Sequence, residues 1–395
     1  MASPRMVKAV SLFSGAGGFC EGARLAGWRV LCSVEADDHA CLTYAANFPD
    51  VPLFHGDIVR FPAEKRTGLP EIEQLLGTGV DVVYGGPPCQ GFSQIGPRDL
   101  DDPRNVLYKQ FVRVVLSLRP RVFVMENVPN MVTMKGGHFR DEVLRAFRAA
   151  GYSRATIQTV LASDFGVPQH RRRIFWFGLR DDLYGVADLD QTVRTWLQER
   201  KLIQPVTVRQ AISDLPRDVS GDDSALPYAA ASKRCSEYQK LMRLDWDTPL
   251  LSAAQKRSKL DCDELHNHHT KEVEARRLQI IKAIKPGARG DSLPTDLWSG
   301  TREHKWRRLD PDKPSYTILA HMHRDLSEWI HPEHDRWITV REAARIQSFH
   351  DGFVFHGSEL QQLKQVGNAV PPLVGFVVAQ TAAMLLASVR TKPMR

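Results

Sequence analysis

A single thiol follows a stretch of chain stiffened to hold it. Cys89 comes after Gly85-Gly86-Pro87-Pro88, and the apolar run Val80, Val82, Val83 before the glycines reads as a buried parallel strand stopped abruptly. The carboxyl end of such a strand is where open α/β sheets place their ligands. A thiolate held there is a strong nucleophile once nearby positive charge lowers its pKa. Taken alone, Cys89 reads better as a packed structural cysteine. A second run, Val122 to Met125, ends in Glu126-Asn127-Val128-Pro129, which puts a carboxylate at another strand end. Burial disfavours its ionised form and makes it a candidate proton donor, the plainer alternative being a carboxylate that caps a turn. In Gln169-x-Arg171-x-Arg173, period-two alternation puts all three side chains on one face. Two arginines so placed imply an anion, a carboxylate or a base edge, unless they lie on a solvated edge strand.

The elements that must position these groups alternate between strand and helix. Val7 to Leu12 predicts a first strand, which turns through Gly15, Gly17 and Gly18 into a helix carrying Glu21, Ala23, Leu25 and Ala26. Such a turn lets the backbone and a helix N-terminus approach a nucleotide-like ligand, although many α/β turns are glycine-rich without one. The next strand, Trp28 to Val34, ends at Glu35, an acid about 20 residues past the glycines that suits a ribose diol. A third strand-like unit, Pro52 to Ile58, ends in Gly56-Asp57-Ile58, where Asp57 could accept from an adenine amino group. Leu107, Phe111, Val114, Val115 and Leu118 give one apolar helical stripe after a start at Asp101 to Asn105. Further strands are expected at Ile157 to Leu161 and from Ile174.

Gly-Gly-Pro-Pro-Cys-Gln-Gly-Phe-Ser, residues 85–93, closely resembles the catalytic loop of the cytosine-C5 DNA methyltransferases, and the resemblance continues in the family's order over residues 8–180 and 336–385. It implies S-adenosylmethionine as cofactor. Phe13 would stack on the adenine, Gly15 and Gly17 would make room for the methionine moiety, and Ser14 and Gly18 join the cofactor-binding set. Glu35 would bind the ribose, and Asp57 and Ile58 would fix the base. Pro87, Leu107, Asn368 and Val370 complete the implied cofactor set. Ala36 departs from the bulky aromatic that many members carry after the ribose-binding acid. For catalysis the resemblance implies Cys89 as nucleophile, Glu126 at N3 of the base and Arg173 at O2, with Arg171 helping to hold the loop. Pro88, Gln90, Ser93, Asn127, Val128 and Gln169 take substrate-side or structural places.

With 395 residues the chain can bury a large core and still carry a second domain. A net charge of +7 permits nucleic acid as a partner, and the cluster Lys305-Trp306-Arg307-Arg308 is expected to meet phosphate. Six scattered cysteines without a CxxC pair point to free thiols in a reducing compartment. From about Asp181 the strand–helix rhythm fades, and residues 185–335 mix short polar helices, prolines and aromatics. Cys262, His266, His268 and His269 have spacings that could hold a metal, but no second pair supports them, and no metal is expected. Thr339-x-x-Glu342 and Ser358-x-x-Gln361 are capping boxes that open two helices of the returning block. The apolar run from Leu373 to Val389 approaches membrane-spanning length, but Gln380 and Thr381 interrupt it, and a buried core helix is expected instead.

These readings predict an α/β protein with a Rossmann-like, mixed but mostly parallel sheet, helices on both faces and a smaller target-recognition domain. The expected division is a catalytic and cofactor-binding domain over 1–184, a DNA-reading domain over 185–335 and a return over 336–395. The implied activity is methylation of carbon 5 of a flipped-out cytosine in a specific double-stranded DNA sequence, through a covalent Cys89–C6 adduct. The alternatives are a tRNA cytosine-C5 methyltransferase, disfavoured by Gly91-Phe92-Ser93 after Pro-Cys-Gln, and a non-catalytic cofactor- and DNA-binding regulator, disfavoured by the intact Cys89, Glu126 and Arg173. An NAD-dependent enzyme is weaker still, for want of any hydride-transfer signature. A monomer without membrane attachment is expected, prokaryotic, cytoplasmic and nucleoid-associated, with a companion restriction endonuclease as a further expected partner.

Overall fold

Seven strands whose middles are mostly apolar can be buried only if both faces of their sheet are covered, and this is how the chain solves it. The computed structural model describes residues 6–61, 70–88, 107–219, 221–227, 235–244, 264–298, 300 and 305–391. They fall into two compact units: Met1–Leu161, Arg172–Lys201 and Val374–Arg395 form the first, and Ala162–Arg171 with Leu202–Leu373 the second.

The first unit is built on β1 (Lys8–Leu12), β2 (Arg29–Glu35), β3 (Leu53–His55), β4 (Val82–Gly85), β5 (Val122–Asn127), β6 (Arg154–Leu161) and, after the two-residue β7 (Gln169–His170) of the second unit, β8 (Arg172–Leu179). The sheet order is β3-β2-β1-β4-β5-β8-β6. Neighbours from β3 to β5 run parallel, whereas β8 runs antiparallel between β5 and β6. The sheet is therefore mixed and mostly parallel. Helices α1 (Gly18–Leu25), α2 (Asp38–Asn47), α3 (Pro70–Gly77), α4 (Leu107–Leu118), the one-turn α5 (Asn130–Thr133), α6 (His138–Ala149) and α7 (Leu189–Gln198) connect or flank the strands.

Alternation along β4 shows how the two faces differ. Val83 joins a core cluster with Phe111, Val114 and Val115 of α4 and Val143 and Phe147 of α6. Tyr84 points the other way, with the ring of Phe19 from α1 at 4.8 Å. On that second face α1 meets the last helix of the chain, whose label follows below. A Cβ at Gly22 would lie 2.4 Å from the Gly375 carbonyl carbon, so the two backbones touch only because Gly22 has no side chain. That last helix, Pro372–Ser388, buries Val374, Val378, Ala379, Ala382 and Leu385. It is a core helix, as its polar interruptions predict; buried Thr381 returns its hydroxyl to the Val377 carbonyl.

The second unit has little sheet. Its described helices are α8 (Val208–Ile212), α9 (Glu237–Met242), α10 (Ala275–Ala283), α11 (Val340–Ile346) and α12 (Glu359–Asn368); Pro372–Ser388 is then α13. Capping boxes open α8, α9 and α11, the last through Thr339 and Glu342 as the sequence predicts. At α12 the expectation fails in part, since Ser358 is the N-cap but its side chain makes no capping bond.

Packing divides the chain elsewhere than at 184/185 and 335/336. Residues 336–373 cluster with the second unit because α11 is bolted into it: Arg345 donates to the Ala211 carbonyl and pairs with Asp214. The return to the sheet unit comes at Val374. Residues 185–201 stay with the first unit, where Asp190 of α7 accepts from Gln158 of β6 (2.7 Å).

Candidate active site at the strand ends of the first unit

Parallel strands present their carboxyl ends together, so the turns that leave β1, β2, β3, β4 and β5 share one edge of the sheet. At the end of β1, Phe13 takes a φ of 54°, Gly15 of 55° and Gly17 of 104°, and Gly17 caps α1. Gly17 must lack a side chain, because a Cβ there would lie 2.3 Å from the Phe48 ring. Gly15 differs: a Cβ there would meet nothing within 4 Å, so its backbone faces open space. Buried Ser14 donates to Ser11 (2.8 Å), which pins the turn from below, and Gly18 begins α1.

Glu35 ends β2 and holds that turn from the side. Its Oε2 accepts from the Gly15 amide (2.7 Å), and its Oε1 accepts from the amides of Ala36 and Asp37 (2.8 and 2.9 Å). A carboxylate offers about four acceptor positions. Three are taken, which leaves one on Oε2 for a ligand hydroxyl. Beside it, Glu35 pairs in register with His55 of β3, and Asp57 follows two residues on. Asp57 Oδ1 accepts from the Val59 amide (2.9 Å), and Ile58 is buried beneath. Leu107 opens α4, half-buried against the core cluster.

The catalytic expectations meet at β4 and β5. Gly85 cannot carry a side chain, since a Cβ would lie 2.0 Å from the Leu12 carbonyl oxygen. A Cβ on Gly86 would lie 2.8 Å from Glu126 Oε2, so the carboxylate occupies the space that this glycine leaves. Pro87 is buried and its carbonyl accepts from Asn127 Nδ2 (3.1 Å), while Asn127 Oδ1 accepts from the Val128 amide (2.8 Å). Asn127 thus ties the end of β5 to the proline lead-in. Description stops at exposed Pro88; Cys89, Gln90 and Ser93 lie outside the described residues.

Glu126 Oε1 and Arg173 Nε are 3.0 Å apart, their side chains 14% and 15% exposed. The antiparallel β5–β8 register, with Glu126 opposite Phe175, brings them together. Burial pulls the guanidinium below its usual pKa, and the Glu126 carboxylate opposes that shift.

The expected single face of Gln169, Arg171 and Arg173 is broken. The strand is interrupted at Arg171: β7 pairs with the two-residue strand Ser315–Tyr316, whereas β8 pairs with β5 and β6. Gln169 Oε1 accepts from the Ile318 amide, and Arg171 Nη1 donates to the Ile318 carbonyl, each at 2.8 Å. Arg171 Nη2 also donates to the carbonyls of Gly367 (3.1 Å) and Ala369 (3.0 Å), on either side of Asn368. Arg171, expected in the catalytic set, is thus buried as a backbone clamp of the second unit and fixes the segment carrying Asn368 and Val370. Gln347, which no motif flagged, supports the same segment by donating to the carbonyls of Val366 and Ala369.

The histidines of the candidate metal cluster have structural partners. His268 Nε2 lies 2.8 Å from the Pro216 carbonyl and Nδ1 3.1 Å from Thr339 Oγ1, and His269 faces Asp223 at 3.2 Å. Cys262 lies outside the described residues.

Comparison with known proteins adds an independent line. The family description "C-5 cytosine-specific DNA methylase" matches residues 7–383. A Type II methyltransferase of Thalassovita gelatinovora, M.AgeI, is 36% identical over 95% of this chain and 99% of its own length. Another, M1.HphI of Haemophilus parahaemolyticus, is 34% identical over 94% of this chain and 85% of its own. A crystal structure assigned as a prophage-encoded DNA modification methyltransferase of E. coli superposes with a TM-score of 0.75, at 29% identity over 96% of this chain and 99% of that one. The S. pombe Dnmt2 methyltransferase, 15% identical with a TM-score of 0.59 over 96% and 98% of the two chains, shares the fold.

Proposed function

Since the chain belongs to the C-5 cytosine-specific DNA methylase family and is a DNA (cytosine-5) methyltransferase, we propose that it methylates a flipped-out cytosine in a specific double-stranded DNA sequence through a covalent bond from Cys89. The observation that carries this reading is the Glu126–Arg173 pair at the strand ends, with Gly86, three residues before Cys89, leaving room for the carboxylate. Carbon 5 of cytosine is a poor nucleophile. Addition of the Cys89 thiolate to C6 makes C5 an enamine carbon, provided that N3 receives a proton or strong hydrogen bond and O2 faces a cation. Glu126 serves N3, and Arg173 serves O2. Loss of the C5 proton after methyl transfer expels Cys89.

S-adenosylmethionine fits the turns of the first unit. Gly15 faces open space, Glu35 retains an acceptor position for a ribose hydroxyl, and Asp57 follows at the neighbouring strand end. Bound there, the group supplies an electrophilic methyl on its sulfonium. Phe13, Ser14, Gly17, Gly18, Ile58, Pro87 and Leu107 line the remainder of this proposed site, and the family resemblance adds Asn368 and Val370 to the cofactor set. A base stacked in a duplex is out of reach of such a site, so the target must leave the stack. Residues 185–335 read the sequence, and lysines and arginines meet the phosphates. The biological role is protection of a site from a companion endonuclease, in the bacterial cytoplasm.

A duplex with 5-fluorocytosine at the target tests the mechanism, because fluorine cannot leave as a cation. With S-adenosylmethionine present, the protein should form an adduct that survives denaturation. Cys89→Ser should form none while binding the cofactor nearly as well as the parent. Methyl transfer that persists in Cys89→Ser would rule the covalent route out. Bisulfite sequencing of DNA from expressing cells supplies the recognition site for the probe.

A further inference from the structure

Arg113 lies on α4, apart from every motif in the sequence, yet its side chain is committed. Nη2 donates to the carbonyls of Ile58 (2.7 Å) and Phe61 (2.8 Å), and Nε donates to Gln110 Oε1 (2.7 Å) one turn back. Ile58 begins a one-turn helix, Ile58–Arg60, and Phe61 ends it. The Ile58 carbonyl accepts the turn's own bond from the Phe61 amide (3.1 Å), and Arg113 is a second donor to it. The front of the turn is closed by Asp57 Oδ1, which accepts from the Val59 amide. Its back is closed by a guanidinium that comes from 52 and 55 residues further along the chain. Phe54 and Phe61 pack edge to face at 5.3 Å beneath it, so the turn is held from below as well.

We propose that Arg113 is a positioning residue for the adenine end of the cofactor, locking the turn that carries Asp57 and Ile58. The inference rests on the reading that Asp57 and Ile58 bind the adenine. Asp57 spends one carboxylate oxygen on its own turn and has the other for a ligand amino group. The direction of that second oxygen is set by the turn. A planar fork can hold two carbonyls and a side-chain amide in one fixed geometry, whereas an ammonium is a point charge on a flexible stem. Without the fork, the turn would have to be ordered at the moment of binding, and that cost would appear as lost affinity.

The test uses the full chain and titration calorimetry with S-adenosylmethionine and with adenosine. Arg113→Met should weaken both ligands by about tenfold, equally for the two because the lost order lies at the adenine end. Arg113→Lys should recover only part of the loss. In turnover assays the cofactor KM should rise while kcat at saturating cofactor stays near that of the parent, a split that a general loss of folded protein would not give. Gln110→Ala, which removes only the acceptor that orients Nε, should show a smaller loss in the same direction. If the parent binds neither ligand, the adenine assignment itself fails. If the parent binds and folded Arg113 variants bind equally well, Arg113 has no positioning role. Unfolding of both Arg113 variants with unchanged binding by Gln110→Ala would reduce Arg113 to a folding residue and overturn the proposal.

Discussion

The two units satisfy their buried backbone by different means. In the first, a seven-stranded sheet absorbs the amides and carbonyls in regular ladders. In the second, side chains do much of that work. Arg171 takes three carbonyls, Arg308 takes those of Ile284, His331 and His334, and Arg341 takes those of His266, His350 and Phe353. Each of these arginines is at most 8% exposed. Irregular chain can be buried only if every polar group finds a partner, and arginine brings five donors on one rigid fork. A unit of short helices and irregular segments is thereby given a core that depends little on sheet. The contrast also separates two uses of one residue type, since Arg173 in the first unit meets a carboxylate at the proposed active site.

The strongest test of this contrast compares Arg345 with Arg173. Arg345 is fully buried between Asp214 and Asp351; Arg345→Ala takes this guanidinium from both carboxylates, Asp214 keeping its pair with Arg243 (2.7 Å). Stranding buried charge costs roughly 3–5 kcal/mol, so denaturant unfolding should show the second unit melting early and apart from the first. Arg173→Ala should instead leave the unfolding midpoint nearly in place and cut methyl transfer by about 10²–10³-fold, the usual loss for a removed charge-stabilising donor. Swapped outcomes would mean that the two arginines have been assigned the wrong way round.

Acid should sharpen the difference further. His331 Nδ1 accepts from the amides of Glu333 and His334 and so must stay unprotonated; burial holds its pKa down to about 3. Burial alone would raise Glu342, but Arg336 and His331 pull it well below the usual carboxylate range. Both folded values are depressed, so the unfolded chain binds more protons as pH falls. The stability from His331 is complete above its unfolded value near 6.5 and is lost as pH drops toward 3, with Glu342 adding to the loss below about 4.5. Between pH 6.5 and 4.5, His331 alone should account for about 2–3 kcal/mol. His331→Asn should flatten that slope in chemical denaturation monitored across the range, and an unaltered slope would discount His331 as its source.

The smallest expected effect concerns a pair that the sequence treats as one basic cluster. Arg308 is spent on three carbonyls and Asp335, whereas Arg307 lies over the Tyr316 ring at 5.0 Å. Arg307→Ala should lessen the slope of log affinity against log salt by about 0.9, one phosphate contact. Arg308→Ala should lower stability and leave the slope alone. Equal slopes for the parent and Arg307→Ala would remove Arg307 from the phosphate set.

What could be read from the sequence was what local chemistry encodes. The glycines that stop β4, the acid that ends β2, the Thr339 capping box and the stripe on α4 each depend on neighbours within a few residues. The insertion of β8 against the grain of the sheet does not, and neither does the break at Arg171 that splits an apparent period-two strand. Arg113, Arg308 and Arg345 look like surface residues in any window of sequence, because carbonyls and carboxylates that hold them (Ile58, Phe61, Ile284, Ala211, Asp214) come from distant segments. That α11 and α12 cluster with the second unit up to Leu373 is hidden in the same way, since their packing is decided by Arg345 and Arg171.

The Arg171 clamp also sets a timetable for the newborn protein. Its acceptors at Ile318, Gly367 and Ala369 lie 147, 196 and 198 residues downstream. At a synthesis rate of about 5–20 residues per second, the guanidinium waits roughly 10–40 s for its last partner to be made. Strands β6 and β8 on either side of it need no such delay, so the ribosome holds a chain whose ten-residue segment Ala162–Arg171 still lacks the carbonyls that Arg171 will clamp. Stalled nascent chains ending before Gly367 should be cut by protease within that loop and become resistant once Ala369 has cleared the exit tunnel.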